Sequence, residues 1–258
     1  VYSAAADGLK RVSLELGGKS PNIVFDDADL DNAVNGVITG IFSAGGQTCM
    51  AGSRLLLQES IHDEFVEKLV KITDSAKIGD PSDESTQIGP VATELQFKKV
   101  LSYIDIAKKE GARCVAGGNR LSGEAYGCGQ FVEPTVFVDV TNDMRIAQEE
   151  VFGPVLSVIK FKDEEDALRI GNDIRFGLVA GVWTSNLHRA MLMADKLKAG
   201  TVWINNYRST SYSTPFGGFK HSGIGREGGI EVVKEYLEAK SVWISTDLEI
   251  PSPFVRKY

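Results

Sequence analysis

Short apolar segments alternate along this chain with segments of helical periodicity. Helices of ten or more residues between successive strands are typical of an α/β layer fold with a largely parallel sheet. We therefore expect an α/β fold in which helices flank such a sheet. The strands are predicted at residues 12–16, 55–58, 113–116, 132–138, 155–161, 178–183 and 201–205, and further helices at 61–77, 93–110, 164–172, 187–197 and 230–237.

One predicted helix leads directly toward a cysteine. Apolar residues recur at helical spacing over residues 30–42, and Asp29 before them is a typical N-cap residue. The pair Gly45-Gly46 is expected to end this helix. Cys49 is therefore predicted to lie at the junction between a loop and the next element.

Composition and charge exclude several classes of protein. The 258 residues are 43% hydrophobic and 24% charged, which is typical of a globular protein of one large or two smaller domains. The net charge of −7, without long blocks of like charge, argues against a nucleic-acid-binding surface. No apolar run approaches the roughly 18 residues of a membrane span, so we expect no membrane partner.

The cysteines and histidines give no framework for disulfides or metals. The three cysteines form no C-x-x-C pair and are odd in number, so a reducing cytoplasm is the expected location. The histidines are far apart and lack metal-ligand spacing, so no metal is expected. These residues are Cys49, Cys114 and Cys128, and His62, His188 and His221.

Two glycine-rich segments imitate nucleotide-binding motifs. Residues 223–228 match G-x-G-x-x-G, but no strand leads into them and too few residues follow for a dinucleotide-binding unit. Residues 17–20 imitate the end of a P-loop, but Ser13 stands where that motif needs glycine. Neither segment is interpreted as a phosphate site.

Cys49 and Glu15 are the candidate catalytic pair. A thiolate attacks carbonyl carbons, and small residues around Cys49 leave room for a substrate. A nearby glutamate can activate the water that hydrolyses a thioester. On residue type and spacing alone, a buried structural cysteine and an ordinary strand carboxylate remain equally good interpretations.

The surroundings of both residues resemble those of the aldehyde dehydrogenase family. The resemblance rests on residues 15–21 (ELGGKSP), 45–54 (GGQTCMAGSR) and 149–155 (EEVFGPV), and it extends over essentially the whole chain. It implies an aldehyde dehydrogenase-like catalytic domain with a terminal oligomerisation strand. Catalytic roles for Cys49 as nucleophile and Glu15 as general base follow from the same resemblance.

The resemblance also implies cofactor-binding residues. Glu150 would accept hydrogen bonds from the nicotinamide ribose, and Phe152 would pack beside the nicotinamide of NAD or NADP. Leu16 and Gly17 fall in the same cofactor-facing stretch. Gln96 is a less specific match, and a solvated helix face is its alternative interpretation.

Other matched positions concern the substrate and the subunit interface. Met50, Asn205 and Phe216 correspond to the substrate-tunnel side, although Asn205 could equally be a turn residue at a strand end. A further structural match is a shared carboxylate, Glu238, between Arg11 and Arg226. If these charges are partly buried, losing Glu238 is expected to destabilise the fold by about 3–5 kcal/mol, and by about 0–1 kcal/mol if they are exposed.

The resemblance begins inside the family pattern, which makes a fragment the expected interpretation. The implied division is a remnant of the cofactor-binding domain (1–17), a catalytic domain (18–221), a loop and helix returning toward the cofactor domain (222–238), and an oligomerisation strand with a tail (239–258). The family's nucleotide-binding sheet would precede Val1.

The implied activity of the parent protein is NAD(P)-dependent oxidation of an aldehyde through a cysteine thiohemiacetal and thioester. This chain alone would then lack full activity. The resemblance implies a homo-oligomer, dimer or tetramer, through a strand at 240–246. On the residues alone, that strand could equally close the protein's own sheet or pair with another chain. The alternatives are a cofactor-independent thiol esterase and a non-catalytic assembly or regulatory fragment. The sequence leaves open which aldehyde is oxidised and which of the two cofactors is used.

Overall fold

Strands and helices alternate along the chain, as the sequence predicts. The computed structural model describes residues 1–127, 129–246 and 253–254. The helices are α1 (Tyr2–Ala6), α2 (Leu30–Phe42), α3 (His62–Asp74), α4 (Glu94–Lys109), α5 (Arg145–Gln148), α6 (Glu164–Asn172) and α7 (Leu187–Lys196). The strands are β1 (Leu14–Glu15), β2 (Pro21–Val24), β3 (Arg54–Gln58), β4 (Arg113–Ala116), β5 (Arg120–Leu121), β6 (Phe131–Val132), β7 (Thr135–Val138), β8 (Val155–Phe161), β9 (Val179–Trp183), β10 (Thr201–Ile204) and β11 (Gly223–Ile224).

A central sheet of seven strands organises the fold. Its order is β10-β9-β2-β3-β8-β7-β4, and all neighbours are parallel except the antiparallel edge strand β4. Two small antiparallel pairs, β1 with β11 and β5 with β6, lie outside it. The expected α/β fold with a largely parallel sheet is therefore confirmed.

Apolar side chains pack on both faces of the sheet. Leu56 belongs to the cluster that packs against α4, α6 and α7, whereas its neighbours Leu55 and Leu57 belong to the cluster against α2 and α3. Because successive strand residues point to opposite faces, a strand covered on both sides must be apolar throughout. The result is a three-layer arrangement with the sheet in the middle.

Most predicted elements agree with the structure, but a central strand was missed. Residues 21–24 form β2, which pairs with both β3 and β9. The sequence there begins with proline, which usually argues against a central strand but is tolerated as its first residue. The predicted strand at 132–138 is divided at Pro134 into β6 and β7.

The predicted C-terminal elements do not form as expected. Residues Ile230–Tyr236 form an exposed 3₁₀ helix instead of an α-helix, and residues 239–246 belong to no strand. Val242, Trp243 and Ile244 are 73%, 94% and 86% exposed. A short amphipathic helix or a single strand has little stability without a surface to pack or pair with. The rest of the predicted tail, 247–252 and 255–258, lies outside the described residues.

Among the described helices, none is long and apolar enough to cross a membrane.

Candidate active site

Cys49 follows a tight turn that connects α2 to β3. The α2 helix begins at its N-cap Asp29, whose Oδ1 accepts the backbone N–H of Asn32 at 3.1 Å. After α2, the backbone φ angle is positive at Ala44, Gly45 and Gly46. A side chain at Gly46 would overlap the carbonyl of Gly153, so the turn packs directly on the loop before β8.

The segment after Glu15 passes between Cys49 and Glu150. The backbone N–H of Gly18 donates a hydrogen bond of 2.9 Å to Oε1 of Glu150. A Cβ atom at Gly18 would overlap the carbonyl oxygen of Cys49, and one at Gly17 would overlap Oε2 of Glu150. The two glycines therefore allow a close approach of three chain segments.

A buried serine fixes this segment from the other side. Ser222 is inaccessible to solvent, and its Oγ donates to the carbonyl of Gly17 at 2.7 Å and accepts the backbone N–H of Gly177 at 2.9 Å. The carbonyl of Ser222 accepts the backbone N–H of Leu16 at 3.0 Å. The short pairing of β1 with β11 continues these contacts, so Glu15 has a defined position.

The Glu15 carboxylate is held in a poorly solvated place. Neither of its oxygens is accessible to solvent or has a hydrogen-bond partner among the described residues. Burial raises the pKa of Glu15, the charge of Glu227 raises it further, and Arg226 opposes both effects. A carboxylate with a raised pKa is a stronger base, which suits proton abstraction from water.

Cys49 lies within the electrostatic reach of both carboxylates. Burial raises the pKa of the Cys49 thiol, and the charges of Glu15 and Glu150 raise it further. Hydrogen bonds to the sulfur from the backbone N–H groups of Met50 and Cys49 lower it. These N–H groups do not outweigh burial, so the thiol of this chain is less easily ionised than an exposed cysteine.

Glu150 and Phe152, in the loop that the turn packs against, form a second part of the site. Phe152 is half-buried and has a φ of 58°, a conformation that non-glycine residues rarely adopt. Nε2 of Gln96 donates to the carbonyls of Val151 and Phe152 at 2.7 and 2.9 Å. Gln96 therefore positions the Phe152 backbone, and its predicted contact with the cofactor stays a prediction.

The predicted substrate-side residues lie in two different places. Phe216 is half-buried next to Gly217, where an added Cβ would lie 2.7 Å from Oε1 of Glu15. The carbonyl of Met50 accepts the hydroxyl of the buried Tyr207 at 3.1 Å. Asn205 is exposed, and its amide exchanges two hydrogen bonds of 2.9 Å with the backbone of Thr184.

The structure therefore does not bring Asn205 to the other site residues. Cys49 and Gly18 precede β3 and β2, at the amino ends of the central strands, whereas Asn205 follows β10 at the carboxyl end. The hydrogen bonds of Asn205 to Thr184 are those of a turn residue at a strand end, the alternative interpretation of this residue.

Comparison with known proteins agrees with this geometry. The model of the family described as "Aldehyde dehydrogenase family" matches residues 1–242. The chain belongs to the aldehyde dehydrogenase family.

Several similar proteins bear related names. An aldehyde dehydrogenase of Emericella nidulans is 52% identical over 242 residues, which are 94% of this chain and 48% of the relative. A betaine aldehyde dehydrogenase of Mesorhizobium japonicum is 48% identical over 98% of this chain and 52% of the relative. The structure of a betaine aldehyde dehydrogenase of Staphylococcus aureus in complex with NAD⁺ superposes with a TM-score of 0.96 at 42% identity, over 99% of this chain and 51% of that one. The chain thus spans about half the length of the curated relatives it matches.

In this aldehyde dehydrogenase chain, the predicted shared carboxylate is only half formed. Arg11 and Glu238 form an ion pair of 2.9 Å, and their side chains are 54% and 83% exposed. Nη1 of Arg226 donates instead to the carbonyls of Gly218 and Gly225, at 3.1 and 2.7 Å. Because the pair is exposed, the smaller of the two expected contributions to stability applies.

Sequence reasoning missed two buried cations of this aldehyde dehydrogenase chain. Arg54 is inaccessible to solvent and donates to the carbonyls of Lys19, Ile170 and Gly171 and to Oδ1 of Asn142, at 2.9–3.0 Å. Lys19 is also fully buried, and its Nζ has no hydrogen-bond partner among the described residues. The position of Arg54 directly before the apolar run of the predicted strand 55–58 was the one available signal.

No group of three or more His, Cys, Asp or Glu side chains within the described ranges could hold a metal ion.

Proposed function

We propose that the protein carrying this chain oxidises an aldehyde to a carboxylic acid with NAD⁺ or NADP⁺, using Cys49 as nucleophile and Glu15 as general base. The observation that supports this most strongly is the position of Gly18. The backbone N–H of Gly18 donates to Glu150, and its α-carbon lies against the Cys49 carbonyl. Gly18 follows Glu15 by three residues in the sequence. The candidate nucleophile, base and cofactor carboxylate therefore converge on one short segment.

In the first half of the reaction, the Cys49 sulfur forms a bond to the aldehyde carbon. The carbonyl π electrons move to oxygen and give a thiohemiacetal anion. Backbone N–H groups of Cys49 and Met50 lie close enough to the sulfur to lower its pKa, so they are suited to stabilise negative charge there and on the adjacent oxygen. Hydride then leaves the same carbon, and a Cys49 thioester remains.

In the second half, Glu15 removes a proton from water, and the resulting oxygen attacks the thioester carbon. The carbon–sulfur bond breaks, the acid is released and the Cys49 thiolate is restored. The raised pKa of Glu15 favours this proton transfer. The balance is one aldehyde, one water and one oxidised cofactor giving one acid, one reduced cofactor and one proton.

The residues present fit a nicotinamide nucleotide, which supplies a hydride acceptor when it is bound. Oε1 of Glu150 is held by Gly18, and Oε2, with no hydrogen bond to another described residue, can accept one from a ribose hydroxyl. Hydrogen bonds from Gln96 hold the backbone of Val151 and Phe152. The ring of Phe152 can pack beside an aromatic ring. The NAD⁺ complex of the Staphylococcus aureus relative supports this choice of cofactor.

The test is NADH formation by the full-length protein with a panel of aliphatic and aromatic aldehydes. Cys49→Ser should abolish oxidation, because no thiohemiacetal can form. Glu15→Gln should retain a burst of NADH and lose steady turnover, since the thioester would accumulate. Undiminished oxidation by Cys49→Ser would overturn the proposal. The 258-residue chain alone is expected to lack full activity.

A cofactor-independent thiol esterase is the second candidate. It is favoured by one observation, namely that Cys49 and Glu15 both lie in this chain and influence each other electrostatically. Hydrolysis of an activated ester by the 258-residue chain without NAD⁺, lost in Cys49→Ser, would support it. Complete inactivity of the chain toward such esters would remove this candidate.

We also propose that residues 240–246 pair with a second copy of the chain. The apolar side chains of Val242, Trp243 and Ile244 are exposed and have no strand beside them among the described residues. Sedimentation of the full-length protein and of its Trp243→Asp variant would test this. The variant is expected to dissociate into smaller species than the wild-type protein. An oligomer unchanged by this substitution would contradict the proposed pairing. If the chain were instead a non-catalytic fragment docked on a larger subunit, it would co-purify with that subunit.

A further inference from the structure

Residues 205–217 connect the two ends of the sheet. After Asn205, the chain returns along α2: Tyr207 packs against Gly40 and its hydroxyl reaches the carbonyl of Met50. The same segment ends at Gly217, next to the Glu15 carboxylate. It therefore runs past one neighbour of Cys49 and arrives at the candidate base.

Arg208 lies in this segment, between the Met50 contact and the Glu15 contact. Its Nη1 lies 3.4 Å from the carbonyl of Ser43, the first residue of the turn that leads to Cys49. The guanidinium is thus placed against the turn that presents the nucleophile, on the side where the following residues, 209–215, are exposed to solvent.

The conformation and the pairing of Arg208 are both unusual for a structural arginine. Its φ is 68°, in the left-handed region, where a non-glycine residue is strained. No carboxylate of the described chain forms an ion pair with it, although the residue is half-buried. An arginine cannot lose its proton, and most of its five N–H groups remain available to a ligand.

We propose that Arg208 sets the charge preference for the aldehyde: neutral or anionic substituents are accepted, and a substituent with a permanent positive charge is rejected. This inference rests on the proposed oxidation at Cys49. A partly desolvated guanidinium repels a cation more strongly than one in bulk water, because less solvent screens the two charges. Rejection of a competitor through such a repulsive contact is an established route to specificity.

The inference separates this chain from some of its relatives. Betaine aldehyde, which appears in the names of several similar proteins, carries a quaternary ammonium group. An identity of 46–48% to those proteins would suggest the same substrate. The unpaired guanidinium beside the Cys49 turn argues for a different one.

Two aldehydes of nearly equal shape isolate the charge. Betaine aldehyde and 3,3-dimethylbutanal differ by the replacement of N⁺ by carbon, so the ratio of their kcat/KM values reports the charge effect. Full-length wild-type protein should be compared with Arg208→Lys, Arg208→Gln and Arg208→Glu. Intrinsic differences in reactivity or hydration cancel when the ratio is compared between variants.

The expected result is a ratio of betaine aldehyde to 3,3-dimethylbutanal that rises about tenfold in Arg208→Gln, a factor corresponding to about 1.4 kcal/mol. It should rise further in Arg208→Glu and stay near the wild-type value in Arg208→Lys, which keeps the charge. The kcat/KM of succinic semialdehyde relative to that of pentanal should stay near the wild-type value in Arg208→Lys, fall in Arg208→Gln and fall further in Arg208→Glu. Arg113→Gln, an exposed arginine paired with Asp139 on edge strand β4, is the matched control and should leave both ratios unchanged.

Equal ratios in wild type, Arg208→Gln and Arg208→Glu would overturn the inference while leaving aldehyde oxidation intact. If Arg208→Gln folds poorly, the other two variants decide. Equal ratios of betaine aldehyde to 3,3-dimethylbutanal in Arg208→Lys and Arg208→Glu would also overturn the inference. Absence of oxidation of every aldehyde by the wild-type protein would overturn the proposed function as well, so the two failures are distinguishable.

Discussion

The backbone N–H of Gly18 and Oε1 of Glu150 form a hydrogen bond of 2.9 Å that joins the segment after Glu15 to the segment before β8. Gly17 precedes it and lies against the other carboxylate oxygen of Glu150. The placement of Glu150 therefore depends on two glycines that are 132 residues or more away in sequence.

Gly17→Ala should displace Glu150. The new methyl group would overlap Oε2, and the carboxylate can rotate away at little cost to the fold. We expect the KM for NAD⁺ in the full-length protein to rise at least about tenfold, equivalent to about 1.4 kcal/mol, with a small change in melting temperature. NAD⁺ binding measured by calorimetry checks this result. Unchanged affinity would contradict the assignment of Glu150 to the cofactor.

The alkylation rate of Cys49 should report the two neighbouring carboxylates. Burial and the charges of Glu15 and Glu150 raise the pKa of the thiol, so little thiolate is present at neutral pH. Iodoacetamide should react slowly near pH 7 and severalfold faster above pH 9, since the thiolate is the reactive form. Glu15→Gln should increase the rate at fixed pH.

Peptide mass spectrometry distinguishes this reaction from labelling of Cys114, which serves as the internal control. Burial also raises the pKa of Cys114, but Glu15 is not among the groups that affect it. A Glu15→Gln variant in which Cys49 reacts more slowly would contradict the electrostatic account.

Lys19 should make stability depend on pH. Burial lowers the pKa of Lys19 to about 7, the Arg54 guanidinium lowers it as well, and Glu150 opposes them. An unfolded lysine keeps its proton up to about pH 10.4, so between pH 7 and 10 the unfolded state binds more protons and stability rises with pH. Below pH 7 the buried ammonium lowers the stability of the fold by up to about 5 kcal/mol.

Lys19→Met should therefore raise the melting temperature at pH 7 and flatten its increase between pH 7 and 9. Lys196→Met, whose side chain is 59% exposed, is the control and should change neither. An identical pH slope in Lys19→Met and the wild-type protein would show that Lys19 does not titrate in this range.

Glu238→Gln should have little effect on the stability of this chain. Its partner Arg11 is 54% exposed and Arg226 does not contact it, so we expect a loss of about 0–1 kcal/mol. Urea denaturation of the 258-residue chain measures this value. A loss of about 3 kcal/mol or more would indicate the partly buried three-residue arrangement, the other of the two alternatives considered from the sequence.

The sequence predicts the layered fold well because periodicity reports burial. The helix after Asp29 and the strand at 155–161 agree with α2 and β8, since α2 buries one face and β8 is buried on both faces except at Lys160. The strand at Pro21 was missed because proline is a poor strand residue except at a first position. The helix at 230–237 was wrong because its apolar residues find no packing surface in this chain.

The candidate site is only partly visible in the sequence. Cys49, Glu15, Glu150 and Phe152 were found through their surroundings, and the structure brings their segments together. The contact of Gln96 with the Phe152 backbone and the burial of Lys19 arise from tertiary packing, which no local pattern encodes. Arg208 was missed for the same reason, because its strained φ and lack of a carboxylate partner exist only in the folded chain.

The central claim is that Cys49 forms the covalent bond to the substrate. The most direct measurement is mass spectrometry of the full-length Glu15→Gln protein after mixing with NAD⁺ and a neutral aldehyde. We predict an acyl group on the peptide that contains Cys49, and its absence without NAD⁺ or in the Cys49→Ser variant. Acylation of a different residue, or aldehyde oxidation that persists in Cys49→Ser, would contradict the account.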